Sequence, residues 1–463
     1  MKSVALHNLG CKVNSYEVEV MQQNLQKSGF EIVDFEQKAD FYIINTCSVT
    51  NMADRKSRQM LHRARKQNQE AIVVAVGCYV QADAFHIAQD EAIDLLVGNN
   101  LKKNIADILK RFMEWDKDLS EDLNEEEKNF LTKTLGNTTI VDVKKVDFED
   151  AIMEHTAEHA RAYIKIQDGC NRFCSYCIIP YTRGNVRSRK KESVLEEIKG
   201  LVQEGYREFV LTGIHISSYG LDFEGKNPKK YLAELICDIN ALEGVERIRI
   251  GSFEPMILTR EFVEILASCP KLCPHFHISL QSGCDETLKR MNRRYTSAEY
   301  LEKTELLREY FPGCAVTTDV IVGFPGETEE EFIQTKAFLE RVNFFEMHIF
   351  KYSRRKGTKA DVMPAQVPED IKTVRSNILL ELEKEQSKAF RKNFIGKTVK
   401  VLLEEEKKIE GKVYWLGHTE EYVKVALPAN GYEKNMFADA FIKDFLQEDI
   451  LLGENAACVC MKA

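Results

Sequence analysis

Three cysteines stand close together in Cys170-Asn171-Arg172-Phe173-Cys174-Ser175-Tyr176-Cys177. Three thiolates from one loop can hold three corners of a cubane iron-sulfur cluster and leave the fourth iron open to chelate a small molecule. Zinc is the competing metal, but a structural zinc site closes with four ligands, and this loop has no fourth Cys or His. Gly169, Asn171 and Arg172 in the same loop are not core residues, which argues against three cysteines meeting there by packing alone.

A second set is dispersed. Cys11, Cys47 and Cys78 each follow an apolar run, in Asn8-Leu9-Gly10-Cys11, Asn45-Thr46-Cys47 and Val76-Gly77-Cys78. If each run is a strand of one parallel sheet, their carboxyl ends share a rim where loops converge on a ligand. Any one of these cysteines alone could be a small buried hydrophobe, but the same placement three times points to a second metal site. Cys237, Cys269, Cys273, Cys284, Cys314, Cys458 and Cys460 show no such pattern and are assigned to core or surface.

The elements that must position these residues are legible as alternating strands and helices. Near the amino end, strands are predicted at 3–9, 41–45 and 71–77 and helices at 15–27 and 51–66, a βα repeat that implies a parallel sheet covered on both faces. The acidic stretch 114–128 and residues 132–150, with little helical periodicity, read as a partly exposed connection with possible strand segments. From Ala162 the alternation resumes, with strands at 162–167, 208–211, 247–250, 275–280, 316–322 and 345–350. Helices at 192–204, 231–241, 261–267, 297–308 and 329–341 lie between them. Six strands with five helices form an incomplete barrel whose active site lies at the carboxyl ends of the strands. A charged helix at 368–393 precedes short strands at 398–403, 411–415, 422–426 and 450–452, the texture of a small β-barrel. The expected fold is therefore α/β in three units: 1–150 with the open sheet, 151–388 with the partial (β/α)6 barrel, and 389–463 with the small barrel.

Composition bounds the rest. The 463 residues carry 64 Lys and Arg against 73 Asp and Glu, a net charge of −9. Any nucleic-acid binding must then rest on local basic patches. Hydrophobic content of 44% with 30% charged residues is that of a globular protein, not of a disordered or collagen-like one. Apolar runs such as 71–76 fall far short of the ~20 residues a bilayer helix needs. The first residues run straight into a strand with no signal-peptide layout, so a cytoplasmic location is expected, and the odd cysteine count suits free thiols in a reducing compartment.

The spacing of Cys170, Cys174 and Cys177, the aromatic Tyr176 before the last of them, and the partial βα barrel together resemble a radical S-adenosylmethionine enzyme. Upstream, Leu9-Gly10-Cys11-Lys12-Val13-Asn14-Ser15-Tyr16-Glu17 with Asn45-Thr46-Cys47 and Gly77-Cys78 resembles the amino-terminal domain of the methylthiotransferases. The tail from about Phe390 resembles their small RNA-binding TRAM barrel, although Glu404-Glu405-Glu406 and Glu420-Glu421 depart from a basic pattern. The Lys-Val-Asn-Ser-Tyr-Glu continuation after Cys11 is most similar to the enzymes acting on N6-threonylcarbamoyladenosine at position 37 of tRNA. Sister groups act on isopentenyladenosine in tRNA or on an aspartate of a ribosomal protein. A rival of another class is a non-catalytic iron-sulfur RNA-binding regulator using the same cysteines as a sensor.

The resemblance implies two [4Fe-4S] clusters and S-adenosylmethionine. Cys170, Cys174 and Cys177 would hold the cluster that binds and reductively cleaves S-adenosylmethionine to a 5′-deoxyadenosyl radical. Cys11, Cys47 and Cys78 would hold the cluster carrying the sulfur to be inserted. Carbon 2 of adenine bears a hydrogen that no side-chain base removes at neutral pH, and the cofactors carry that chemistry. Tyr176 and the strand-end residues Thr212, Gly213, Ser252, Glu254, Gln281 and Asp319 are the expected cofactor-binding set. An electron donor, a sulfur source and tRNA are the implied partners, with no membrane. Basic residues near the cysteine loop and beyond the fourth barrel strand, Arg183, Arg187, Arg290, Arg293 and Arg294, are the expected RNA contacts.

Overall fold

The computed structural model describes residues 1–115, 123–155, 160–429 and 431–456. Strands β1 (Ser3–Asn8), β2 (Glu31–Val33), β3 (Phe41–Thr46), β4 (Ile72–Gly77) and β5 (Leu95–Val97) form a sheet in the order β2-β1-β3-β4-β5. Every adjacent pair is parallel. All six residues of β3 are buried, because one face packs on Met21, Leu25, Ile105 and Leu109 and the other on Leu61, Ala64 and Val80. Sequence reading missed the short strands β2 and β5, whose three-residue runs are too brief to show a period. Residues 116–122 of the acidic stretch lie outside the described residues; at its end Asn124 and Glu127 form a capping box that opens the helix Glu125–Lys133. No strand occurs among the described residues 134–150; instead Gly98 N–H donates to the Thr139 carbonyl at 2.8 Å, and Leu135 and Val143 are buried.

The central unit is an open barrel. Strands β6 (Ala162–Asp168), β7 (Arg187–Ser188), β8 (Glu208–Gly213) and β9 (Arg247–Ile250) form one sheet in the order β7-β6-β8-β9. Strands β10 (Ser252–Phe253), β11 (His275–Ile278), β12 (Ala315–Val322) and β13 (Glu346–Lys351) form the second, in chain order. Backbone hydrogen bonds from Ile248 to Lys271 and from Cys273 to Ile248, at 2.8 and 2.9 Å, join the two arcs. Six long strands are parallel and only the two-residue β7 runs antiparallel on the edge. Thr296 and Thr328 with Glu299 and Glu331 form capping boxes that start the helices Ser297–Tyr310 and Glu329–Val342. Apolar residues of the barrel's helices join Ile164, Phe209, Ile248, Phe276 and Val320 in one core. Burial of a side chain such as Phe209, fully removed from solvent, contributes about 1.5–3 kcal/mol.

After the helix Glu369–Lys392, strands β14 (Thr398–Ile409), β15 (Lys412–His418), β16 (Lys424–Pro428), β17 (Phe437–Gln447) and β18 (Ile450–Asn455) close a barrel in the order β14-β15-β16-β18-β17. The eleven-residue β17 was not anticipated. The small barrel seats on the amino ends of the central strands. Arg247 donates to the Lys400 carbonyl at 2.8 Å and Arg249 to the Thr419 carbonyl at 2.6 Å. The carboxyl ends of the central strands are left facing the amino-terminal sheet. Cys458 and Cys460 lie outside the described residues.

Candidate active site

The loop between β6 and the helix Ile179–Thr182 carries Cys170, Cys174 and Cys177, all half-buried free thiols. Its shape is set by Gly169, whose φ of +69° is left-handed and whose added Cβ would lie 1.8 Å from the Asn185 carbonyl oxygen. Phe173 is also left-handed, at +50°. The Ser175 amide donates to the Met291 carbonyl at 3.0 Å and the Ser175 hydroxyl to the Arg290 carbonyl at 2.8 Å. Burial, with the neighbouring Cys174, pushes the Cys177 thiol up to about 12, and burial pushes Cys170 up to about 11. Such thiols lose their protons only to a competing cation, so metal binding here releases protons.

Cys11, Cys47 and Cys78 come from the carboxyl ends of β1, β3 and β4, and they fall within electrostatic reach of one another and of Arg183. Gly10, with φ +125°, permits the approach: a Cβ there would meet Cys47 Cβ at 3.0 Å and Sγ at 3.2 Å. Asn14 donates to the Leu9 and Thr46 carbonyls at 2.8 and 3.1 Å, tying the Cys11 and Cys47 loops together. Burial, then the nearby Cys78, pushes the Cys47 thiol up to about 12.

The donor chemistry fits iron-sulfur ligation. A buried guanidinium lies on one sulfur of each trio: Arg183 Nε donates to Cys78 Sγ at 3.4 Å and Arg293 to Cys174 Sγ at 3.3 Å. A charged donor spent on sulfur suits a thiolate. Among the described residues, neither trio has all three sulfurs within 4.8 Å of one another. A tetrahedral zinc with bonds of about 2.3 Å needs thiolates about 3.8 Å apart, a closeness that neither trio shows among all three of its sulfurs.

A cavity of about 150 Å³ is lined jointly by the amino-terminal unit and the barrel. Val49 and Thr50, just past Cys47, line one wall, and Tyr176, Gln281 and Asp319 line the other. Tyr176 packs edge-on against Phe324, and Gln281 adopts a left-handed φ of +73°. Glu254 is buried beneath the cysteine loop and pairs with Arg172. Burial would raise its carboxyl pKa, but His215, Arg293 and Arg172 hold it below the usual value. Ser252 Oγ lies 2.9 Å from Ser279 Oγ. Thr212 and Gly213 end β8 beside Gln167, away from the residues lining this cavity.

The expected RNA contacts divide. Arg183, 0% exposed, is locked by Glu17, Asp168 and Asn14. Arg187 is buried against Asp168 and the Val143 carbonyl. Neither offers a guanidinium to an outside phosphate, because both satisfy buried carboxylates. Arg293 faces Cys174 and Glu254 instead of solvent. Arg290 pairs with Glu331 and is partly accessible, while Arg294 is exposed.

Sequence reading missed three groups. Arg172 and His215 surround Glu254. Arg355, after β13, pairs with Asp54 at 2.7 Å and donates to Ser48 Oγ at 2.7 Å, joining the barrel to the Cys47 loop. His277 and His348 bracket Asp319 at 3.2 and 3.1 Å. The alternate-residue positions of His275 and His277 on β11, and of Glu346 and His348 on β13, were the available signal for lumen-facing groups.

An open parallel βα barrel with a three-cysteine loop after its first strand defines a radical S-adenosylmethionine protein, and this fold implies a [4Fe-4S] cluster and S-adenosylmethionine. The radical SAM superfamily model matches residues 164–339, and the model described as Uncharacterized protein family UPF0004 matches residues 3–98. The chain is 39% identical over 426 residues to the threonylcarbamoyladenosine tRNA methylthiotransferase MtaB of Bacillus subtilis, covering 92% of this chain and 90% of that protein. It is 34% identical over 424 residues to the tRNA-2-methylthio-N(6)-dimethylallyladenosine synthase of Acetivibrio thermocellus, covering 89% and 83%. Among solved structures, the radical S-adenosylmethionine methyltransferase TsrM of Kitasatospora setae shares the fold, with a TM-score of 0.57 at 16% identity over 78% of this chain and 74% of that one. The chain belongs to the methylthiotransferase family of radical S-adenosylmethionine enzymes.

Proposed function

We propose that the chain adds a methylthio group to carbon 2 of N6-threonylcarbamoyladenosine at position 37 of tRNA. The observation that carries this reading is a cavity bounded on one side by Tyr176, beside Cys177, and on the other by Val49 and Thr50, beside Cys47. A base held there is reached from both cysteine trios. The similarity to proteins named for threonylcarbamoyladenosine, at 36–39% identity, supports the substrate.

Cys170, Cys174 and Cys177 would hold a [4Fe-4S] cluster that, with S-adenosylmethionine, supplies radical cleavage of an unactivated C–H bond. Cys11, Cys47 and Cys78 would hold a second [4Fe-4S] cluster, which supplies an open iron for the incoming sulfur. The chain's own residues position and shield. Arg183 and Arg293 neutralise thiolate charge in each trio, and the Arg172–Glu254 pair pins the cysteine loop to the barrel. Tyr176, Gln281 and Asp319 present polar groups to the cavity, with Thr212, Gly213, Ser252 and Glu254 completing the cofactor-binding set. Arg294 and the accessible edge of Arg290 are the remaining basic contacts for RNA. We assign residues 1–150, 151–388 and 389–463 to the sheet, radical and RNA-binding units. Among the described residues no helix is long and apolar enough to cross a membrane, and a cytoplasmic enzyme drawing on an electron donor and a sulfur source fits the substrate.

Anaerobic reconstitution followed by iron and sulfide analysis tests the two-cluster reading. About eight irons per chain are expected; about four, or zinc, would sink it. Cys174→Ala should abolish reductive cleavage of S-adenosylmethionine, while Cys47→Ala should keep cleavage and lose methylthiolation. Mass spectrometry of tRNA nucleosides from cells with and without the gene tests the substrate. Loss of the methylthio mark from dimethylallyladenosine alone would overturn it.

A further inference from the structure

Lys12 directly follows Cys11 as the first residue of the helix Lys12–Lys27. Its side chain is solvent-accessible. Arg161, Arg249 and Glu208 lie within electrostatic reach of its ammonium, and its charge is felt at His275 and His348. The helix that it opens packs against β6 and β8, and these neighbours sit on or beside β6, β8, β9, β11 and β13, so Lys12 lies at the junction of the amino-terminal unit and the central barrel. Below it the lumen is closed by Tyr422, which stacks between His275 and His418 under the guanidinium groups of Arg161 and Arg249.

The neighbouring cations are engaged. Arg161 pairs with Glu404 at 3.3 Å, Arg249 with Glu208 at 2.7 Å, and His348 with Asp319 at 3.1 Å. Lys12 makes no hydrogen bond or ion pair among the described residues. A water-accessible ammonium among arginines and histidines, without a carboxylate of its own, is open to an anion that arrives from outside. The proposed substrate brings one, because threonine joined through its amino group keeps a free carboxylate. In adenine, carbon 2 and the carbon bearing N6 flank the same ring nitrogen, so the N6 substituent lies beside the carbon that receives sulfur. The residue beside Cys11 is placed to meet that substituent.

Resting on the substrate reading above, we infer that Lys12 binds the carboxylate of the threonylcarbamoyl group and so selects this nucleoside over one bearing an uncharged dimethylallyl chain. The apolar chain would leave the ammonium unpaired, which is how a charged pocket rejects a neutral analogue.

The test compares anticodon stem-loop RNA carrying threonylcarbamoyladenosine with the same RNA carrying its carboxylate methyl ester. Binding by fluorescence anisotropy and kcat/KM are measured on the reconstituted holoenzyme. Wild type should prefer the acid on the order of 100-fold, Lys12→Met should lose the preference mainly in Kd and KM, and Lys12→Arg should keep it. Equal binding of acid and ester by wild type overturns the role of Lys12 and leaves the substrate reading intact, whatever the folding of the variants. A preference that survives in Lys12→Met overturns it as well. An enzyme that binds and modifies only the dimethylallyl RNA overturns both readings.

Discussion

Arg183 Nε donates to Cys78 Sγ at 3.4 Å. The guanidinium leaves the helix that follows one cysteine trio and lands on a cysteine of the other. Its remaining nitrogens contact Glu17 at 2.8 and 3.0 Å and Asp168 at 3.2 Å. Asp168 closes β6 two residues before Cys170, so one side chain couples the placement of both trios.

Glu17 is the hub of this buried network. Lys102, Lys165 and Arg183 all reach its carboxylate, at 2.6 to 2.8 Å. Burial alone would raise its pKa, but the three cations hold it well below the usual carboxylate range. Glu17→Gln leaves three buried cations undercompensated and should cost about 3–5 kcal/mol. The check is a lowered denaturant midpoint. A midpoint unchanged from wild type would mean that the amino-terminal sheet and the barrel are held together elsewhere.

Gly169→Ala should empty the cysteine loop of iron. The left-handed φ costs an L-residue about 1–2 kcal/mol, and the new Cβ would also stand 1.8 Å from a backbone oxygen. Loss of more than half of the iron bound by a variant lacking Cys11, Cys47 and Cys78 is expected. Full occupancy would show that the loop can re-form around the methyl group.

Much of this arrangement was legible in the sequence because it is periodic or local. The strands β3, β4, β6, β9 and β12 lie within a residue or two of their predicted limits, β4 as an apolar run and β9 as an alternation of Arg and Ile, and cysteine spacing marked the loops. What could not be read was the partner of each charge. Arg183, Arg187 and Arg293 look like a basic patch along the chain, but Glu17 and Asp168, remote in sequence or on another strand, draw the first two inward. Arg293 is drawn to Cys174 and Glu254. The lumen groups His277, Asp319 and His348 are likewise joined only by strand register, Asp319 lying opposite His348.

His348 should titrate above the ordinary imidazole value, because its hydrogen bond to Asp319 favours the charged ring over the opposing effect of burial. A raised folded-state pKa adds stability that is fully present below about pH 6.5 and is lost as pH climbs through the raised value. The stability gap between wild type and His348→Gln should therefore be widest in mild acid and narrow on the alkaline side. Ring NMR signals should give a midpoint above 6.5 that falls in Asp319→Asn.

Arg293 should set the reduction potential at the cysteine loop. It donates to Cys174 Sγ at 3.3 Å, lies 3.9 Å from Glu254 and packs over the Tyr295 ring at 4.9 Å. Positive charge beside a cluster thiolate favours the reduced state, since reduction adds an electron to an already anionic centre. At an effective dielectric near 20–40 and about 6 Å, removing one charge lowers the potential by roughly 60–120 mV. Arg293→Met keeps the packing against Tyr295 and removes the charge, so an EPR-monitored redox titration of the protein with its second trio replaced should show that fall. Arg293→Lys keeps the charge without the guanidinium's forked reach and should recover most of the potential. A potential unmoved in Arg293→Met would leave Arg293 with only the task of holding Glu254 and Tyr295 in place.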